Sequence, residues 1–425
     1  MLSFLKRNKG FISYLSFLIA DRIVGLGLLY FLVRSATDEY FAFWTQVNVL
    51  PGLLCGILGF GLGRGILRIF VGEKYSQSVV SRMIATVLFV YLFVICLCYL
   101  LIVYLDNDSV NVFMGGETRP RFGILVIIIF ILLEGFFEIL INYLRSKISP
   151  KFATFVGLRI LPRIVFGVAF LIYETGFWMS LYMCILSSLI ILLYLIWVVL
   201  KTIRVKQPLA SFDFLEYKGL LVTLFKYSVP IMIAAIAFPL LSLIVRGNVF
   251  QGGGYSSLGI FSIYMSFVGI LVYFPEAFQA YIFPKLAELA DAGSGSKKDI
   301  YVLFGSPLFI AGAICFVFAI VGPFFLEMLY PKAIWTYADS VLISFTAFFW
   351  SLYFTLQRYF LVYLPNKTPL VTYCSFLSLS VATYTSYSLT AAGSAAALVP
   401  ILVYFVMASC TVGVMIKRLT VSNMQ

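Results

Sequence analysis

The sequence predicts an all-α polytopic membrane protein: twelve transmembrane helices in two six-helix lobes around a central cavity, with both termini in the cytoplasm. Three observations carry this expectation. Twelve runs of about 20 apolar residues fill the 425-residue chain, and about 20 is the number a helix needs to cross the hydrocarbon. Hydrophobic residues make up 62% and charged residues 11%, with a mean hydropathy of +1.03, whereas a soluble domain is about one quarter charged. Of the 30 Lys and Arg, 21 fall on the N-terminal side of these runs, counting Lys226 at the very start of one, 5 on the other side and 4 deep within the runs. Short cytoplasmic loops carry the excess of basic residues, so the N-terminal side is cytoplasmic.

The expected spans are 11–33, 41–62, 83–105, 122–143, 152–173, 177–200, 224–245, 258–281, 303–326, 341–363, 370–389 and 395–416. The first follows a basic start, Lys6, Arg7 and Lys9, like that of a secretory signal. It is too long for one, contains Asp21 and Arg22 and has no small-residue cleavage site after it, so it reads as an uncleaved span. The longest outward connections, 106–121 and 246–257, hold 16 and 12 residues, too few for an extracytoplasmic domain. The inward loop 201–223 divides the chain into an N-terminal lobe, 1–200, and a C-terminal lobe, 224–425. Each lobe has an even number of spans, so two repeats would be parallel, related by an axis along the membrane normal, with a cavity between them.

Several chemistries are excluded early. The chain has no histidine, which removes His-based triads, His bases and the commonest transition-metal ligand. Its seven cysteines all lie in spans with no CxxC pair, so neither a disulfide framework nor a zinc site is expected. No nucleophile–base pair can be named, and the expectation is a non-enzyme without cofactor or metal. The net charge of +12 is accounted for mostly by the topology signal, so no nucleic-acid partner is expected.

Charges within apolar spans are costly unless they meet a partner or a polar cavity, and that marks Arg22, Glu134, Glu138, Arg159, Arg163, Glu276 and Arg358. Glu134 and Glu138 share one helix face at i, i+4. With a turn near Lys147, Glu138 and Arg159 lie about 13 and 18 Å up their helices, and Glu134 and Arg163 about 20 and 24 Å. The two acids thus face the two bases, as a ladder that locks the hairpin or as one that lines the cavity and exchanges partners with an anionic substrate. Asp21 adjoins Arg22, but consecutive helical residues point about 100° apart and do not face each other. Arg22 and Arg358 are too central to snorkel and are placed in the cavity. Arg64 at the inner end of span 2 and Arg246 at the outer end of span 7 are each either interfacial anchors or cavity residues. Glu276 follows Pro275 and either takes up a coupling proton or pairs with an Arg.

The glycines at 59, 61, 63 and 65 resemble a phosphate loop only superficially, since no strand precedes them; close helix packing or local bending is expected. Pro51, Pro162, Pro230, Pro239, Pro275, Pro307, Pro323 and Pro400 lie inside spans, where each removes a helical hydrogen bond and permits a kink.

The stretch from Phe31-Leu-Val-Arg34 through Thr37-Asp-Glu-Tyr40-Phe41 to Gly59-Phe-Gly-Leu-Gly-Arg64-Gly-Ile-Leu-Arg68 resembles the N-terminal signature of the polysaccharide flippases, the Wzx-type branch of the MOP superfamily. Tyr227-Ser-Val-Pro230, Phe283-Pro-Lys285 and the small-residue run within Leu389 to Ala397 agree with it. The resemblance implies a flippase that moves an undecaprenyl-pyrophosphate-linked oligosaccharide, an O-antigen or similar repeat unit, from the inner to the outer leaflet of the bacterial cytoplasmic membrane by alternating access. It further implies two six-helix lobes around a cationic cavity, and as partners the lipid bilayer, a polysaccharide polymerase and a chain-length regulator. An H+ or Na+ gradient is the candidate driving force. The family's frequent Asp near the outer end of span 7 is here Leu243-Ile-Val-Arg246, so that coupling role does not carry over.

The physics of the residues fits such a substrate, because guanidinium groups bind phosphate oxygens bidentately. On this reading Arg22, Arg358, Arg159, Arg163, Arg64 and Arg246 are the candidates for the pyrophosphate and cavity. Glu276, Glu134, Glu138 and Asp21 are the candidates for ion coupling or ion pairing. The rival readings are a cation-coupled multidrug exporter, for which an acidic cavity is expected, and a membrane polymerase or ligase, which the short outward loops oppose.

Overall fold

The computed structural model describes residues 9–37, 40–41, 43–45, 47, 51, 54–55, 58–59, 61–70, 77–103, 120–147, 151–172, 176–203, 214–291, 297–331, 335–363, 368–388 and 395–422. Their regular structure is helical, with no strand among the described residues. The principal helices are α1 Lys9–Ser35, α2 Leu62–Ile69, α3 Gln77–Val103, α4 Pro120–Ser146, α5 Lys151–Leu158, α6 Ile160–Ile172, α7 Phe177–Ile203, α8 Phe214–Asp291, α9 Lys297–Leu329, α10 Tyr337–Tyr363, α11 Thr368–Ser388 and α12 Val399–Ser422. A short 3₁₀ turn, Ala395–Leu398, precedes α12.

Ten segments of these helices are long and apolar enough to cross a membrane, from Ser13–Ser35 to Ala396–Ile416. That marks a multi-pass membrane protein, with ten spans shown of the twelve expected. The two remaining spans differ from the rest for separate reasons. Much of 41–62 lies outside the described residues. The expected 370–389 is the helix α11, which at 21 residues is long enough but is crowded with Ser and Thr. Ser375 and Ser378 turn their hydroxyls back onto the carbonyls of Val371 and Cys374, four residues earlier. The side chains are therefore satisfied within the helix while its hydropathy falls.

The chain forms two compact units. Unit 1 is Met1–Ser35 with Gln46–Met232, and unit 2 is Ala36–Thr45 with Ile233–Gln425. The division after Met232 falls inside α8. The short piece Ala36–Thr45 groups with unit 2 because its side chains pack there. Phe41 lies at van der Waals distance from where a Cβ on Gly259 would be, and the Ser262 hydroxyl donates to Thr45 Oγ1 at 3.4 Å.

In unit 1, α4 is the helix against which α2, α3 and α7 pack, while α1 lies on α5 and α6. Glycine makes these approaches possible. A Cβ at Gly135 on α4 would run into the ring of Tyr91, a fully buried residue whose hydroxyl donates to the Ile131 carbonyl at 2.6 Å. Gly61 caps α2 with φ 64°, and a Cβ there would stand 2.8 Å from the Ser228 carbonyl. Both the bending and the close packing expected of the glycine run are thus present at a single residue.

Proline explains the break between α5 and α6. Pro162 has no N–H to give the Leu158 carbonyl, and the regular helix is interrupted at Arg159 before resuming at Ile160. Pro307 and Pro323, by contrast, sit inside the uninterrupted α9.

In unit 2, α10 packs on α9 and on α12, and α12 packs on α11. Rings of Phe238, Trp350, Tyr353, Tyr404 and Phe405 interlock at its centre, with Phe238 4.5 Å from Trp350 and Trp350 4.9 Å from Phe405. Within α8 the backbone turns at Gly254, φ 64° and ψ −156°, a conformation essentially reserved for glycine. Its two arms are the segments Tyr217–Gly254 and Ser256–Tyr273. At the start of α10, Thr336 Oγ1 accepts from the Asp339 amide while Asp339 Oδ2 accepts from the Thr336 amide, a reciprocal cap.

Candidate functional site

The charged residues of unit 1 converge across three helices. Arg163 on α6 donates through Nη1 to Asp21 Oδ1 on α1 at 2.5 Å. Arg159, at the break between α5 and α6, donates through Nη2 to Glu134 Oε1 on α4 and lies over the Phe137 ring at 5.0 Å. Arg159 and Arg163 are four residues apart, and they pair with carboxylates on two different helices, α4 and α1. Gly25, one turn after Asp21, leaves room for the Arg163 head, whose Nη1 stands 3.9 Å from where a Cβ would be.

This corrects the register expected from the sequence. Arg159 meets Glu134 and not Glu138, and Arg163 meets Asp21 and not Glu134. The rises along the hairpin explain the first change, since Glu134 and Arg159 are only about 2 Å apart in height and Glu138 is about 5 Å below Arg159. The second follows from the packing of α1 on α6, which brings Asp21 to Arg163 across 142 residues of sequence. Glu138 instead turns toward α2, where its Oε1 and the Asn142 Nδ2 flank Gly63 at 3.6 and 3.1 Å from the position of a Cβ.

Neither ion pair is sealed. The side chains of Arg159 and Glu134 are 42% and 32% exposed, and those of Arg163 and Asp21 are 30% and 11% exposed. The guanidinium groups are thus neutralised by carboxylates, yet both remain partly exposed. An oxyanion that offers two oxygens to a planar fork can compete for such a group. Arg22, half-buried, belongs to α1 in unit 1, and Arg358, also half-buried, belongs to α10 in unit 2. The side chains of Arg64, on α2, and Glu276, on α8, lie outside the described ones.

Arg246 differs from all of these. It is 4% exposed, its guanidinium carbon stands 5.7 Å from the centre of the Phe261 ring, and its Nε and Nη1 have no hydrogen-bond partner among the described residues. The aromatic face offsets up to about 2 kcal/mol of the burial, less than the several kcal/mol that removing such an ion from water costs. Of the two positions open to it on sequence grounds, interface or interior, the side chain occupies the interior of unit 2. Its ring partner carries no signal in the sequence, because Phe261 approaches it only through the turn at Gly254.

No protein-family model matches the chain, and no curated protein matches its sequence. Solved structures do match its fold. The lipid II flippase MurJ in an inward closed conformation has a TM-score of 0.64 at 12% identity, covering 96% of this chain and 87% of that one. The MATE multidrug transporter DinF-BH has a TM-score of 0.68 at 13% identity, with 96% and 95% covered. A MOP superfamily transporter from Pyrococcus furiosus, described as having a binding pocket of reverse polarity, has a TM-score of 0.65 at 14% identity, with 97% and 96% covered. The fold of this chain is therefore that of the MATE and MurJ transporters, a fold shared by a lipid-linked flippase and by drug exporters alike.

Proposed function

We propose that the protein is a flippase of lipid-linked oligosaccharides, carrying an undecaprenyl-pyrophosphate-linked repeat unit from the inner to the outer leaflet of a bacterial cytoplasmic membrane by alternating access. The observation that carries this reading is that Arg159 and Arg163 are each neutralised by a carboxylate and each partly open. A diphosphate cannot cross hydrocarbon with its charge exposed, and two guanidinium groups within the span offer its oxygens planar forks to bind. Lipid tails remain in the bilayer while only the head group needs the polar path. Arg22 and Arg358 complete the phosphate contacts on this reading, and Glu276 takes up a proton from an H+ gradient, with Na+ as the other candidate ion. A polysaccharide polymerase would receive the delivered unit outside the membrane, and a chain-length regulator would act beside it.

The same fold supports the rival reading, a cation-coupled exporter of small molecules. Purified protein in liposomes separates the two. A fluorescent undecaprenyl-pyrophosphate oligosaccharide should become accessible to an impermeant quencher, at a rate lowered at least tenfold in R22A and in R358A, with Lys at either position restoring only part. Transport of a cationic dye with no movement of the lipid would overturn the flippase reading. E276Q should flip lipid without responding to a pH gradient, and an unchanged response would remove Glu276 from the coupling.

A further inference from the structure

We infer that unit 2 contains a binding site for a small monovalent inorganic anion of the halide class, organised by Arg246 in the turn-connected arms of α8. This site is separate from the ion-pair ladder of unit 1, and it does not depend on the identity of the transported molecule.

A guanidinium group cannot shed its charge, so burial commits it to finding an anion or a set of acceptors. Protein supplies neither among the described residues. Nε and Nη1 of Arg246 have no acceptor there, and its one close neighbour of note is the Phe261 ring. Two carboxylates of unit 2 have described side chains. Asp339 is occupied on both oxygens, Oδ1 by the Tyr264 hydroxyl and Oδ2 by the Thr336 amide and hydroxyl, and Glu327 is exposed on α9. Neither forms an ion pair with Arg246.

The occupant is small and singly charged for reasons of space and charge. With 4% of the residue exposed, no bulky head group reaches the guanidinium, and a lone positive charge is balanced by one negative charge. A guanidinium with two N–H donors unmet among the described residues suits a halide, which makes no demand on the angles of its donors.

The test uses the full chain in nanodiscs, unfolded by heat and followed by tryptophan fluorescence, in sodium chloride or sodium gluconate at equal ionic strength. Chloride should raise the midpoint saturably in the parent and in R246K. R246M should lose the saturable response and, in gluconate, melt no lower than the parent. Radioactive chloride should bind the parent once per chain and R246M not at all. Equal responses in parent and R246M, or no difference between the two salts in the parent, would overturn the proposal. Should R246M fail to fold, the chloride response and stoichiometry of the parent and R246K decide it in the same way. Competitive displacement of chloride by undecaprenyl pyrophosphate would also overturn it, assigning Arg246 to a lipid phosphate instead. A failed flipping assay leaves the chloride result standing, and so distinguishes the two readings.

Discussion

Unit 1 and unit 2 place arginine inside an apolar helical protein in opposite ways. In unit 1, Arg159 and Arg163 each hold a carboxylate and remain partly open, at 42% and 30% exposure. In unit 2, Arg246 is closed in, rests on Phe261 and has two nitrogens with no protein acceptor among the described residues. The first arrangement leaves each guanidinium partly open, where an anion can compete with its carboxylate. The second holds a fixed cation in place and draws an anion to it. The pairs of unit 1 are therefore suited to a moving substrate, and the buried Arg246 of unit 2 to a resident ion.

Removing one member of the more buried pair is the strongest way to break this comparison. Asp21→Asn or Arg163→Gln leaves a charge with no partner on a packed helix face and should lower stability by about 2 kcal/mol, while the double variant recovers much of the loss. Reversible unfolding in mixed micelles gives the coupling energy, expected at about 1–2 kcal/mol. Arg246→Met should behave in the opposite sense under gluconate, with no loss. Destabilisation of similar size in both units would mean that Arg246 has a protein partner and that the contrast fails.

The second pair should couple more weakly, because Arg159 and Glu134 are more open. Glu134→Gln with Arg159→Gln should give about 0.5–1 kcal/mol of coupling. Glu138→Gln with Arg159→Gln should be additive within about 0.5 kcal/mol, as residues that share no contact are. Coupling to Glu138 that exceeds coupling to Glu134 would restore the register expected from the sequence and remove the one observed.

Much of this is legible in the sequence. Span length and apolar composition locate the helices, because crossing hydrocarbon constrains each segment locally. Rarity marks the charges Arg22, Glu134, Arg159 and Arg163 as special for the same reason. Pairing is not legible to the same degree. The sequence sets Asp21 beside Arg22 alone, since nothing within it says that α1 packs on α6. The interior position of Arg246 is equally hidden. Eight residues before a glycine turn, it reads as the end of a span, and only the folding back of α8 at Gly254 sets Phe261 beside it. The hydroxyl-rich α11 shows the converse case: its length predicts the helix, yet its many Ser and Thr lower its hydropathy below that of the ten apolar spans, while Ser375 and Ser378 satisfy their hydroxyls on its own carbonyls.

The smallest effect on stability is expected at Pro162, and it bears most directly on why the ladder of unit 1 can open. Pro162 leaves the Leu158 carbonyl without its helical donor, and Arg159 stands at that interruption. Pro162→Ala restores the donor and lets α5 and α6 run as one helix. The gained hydrogen bond is worth about 1 kcal/mol, and the freer unfolded chain returns up to about 1 kcal/mol of it, so net stability should change little. Position should change more than energy. A regular helix turns about 100° per residue, so straightening the backbone at Arg159 swings its side chain away from Glu134. The coupling between Glu134 and Arg159 should then shrink toward zero in the Pro162→Ala background, while that between Asp21 and Arg163 is kept. Lipid flipping should slow although the protein is as stable as before. If the Glu134–Arg159 coupling survives at full strength in that background, the break is a packing feature of the helix and does not set the position of the guanidinium.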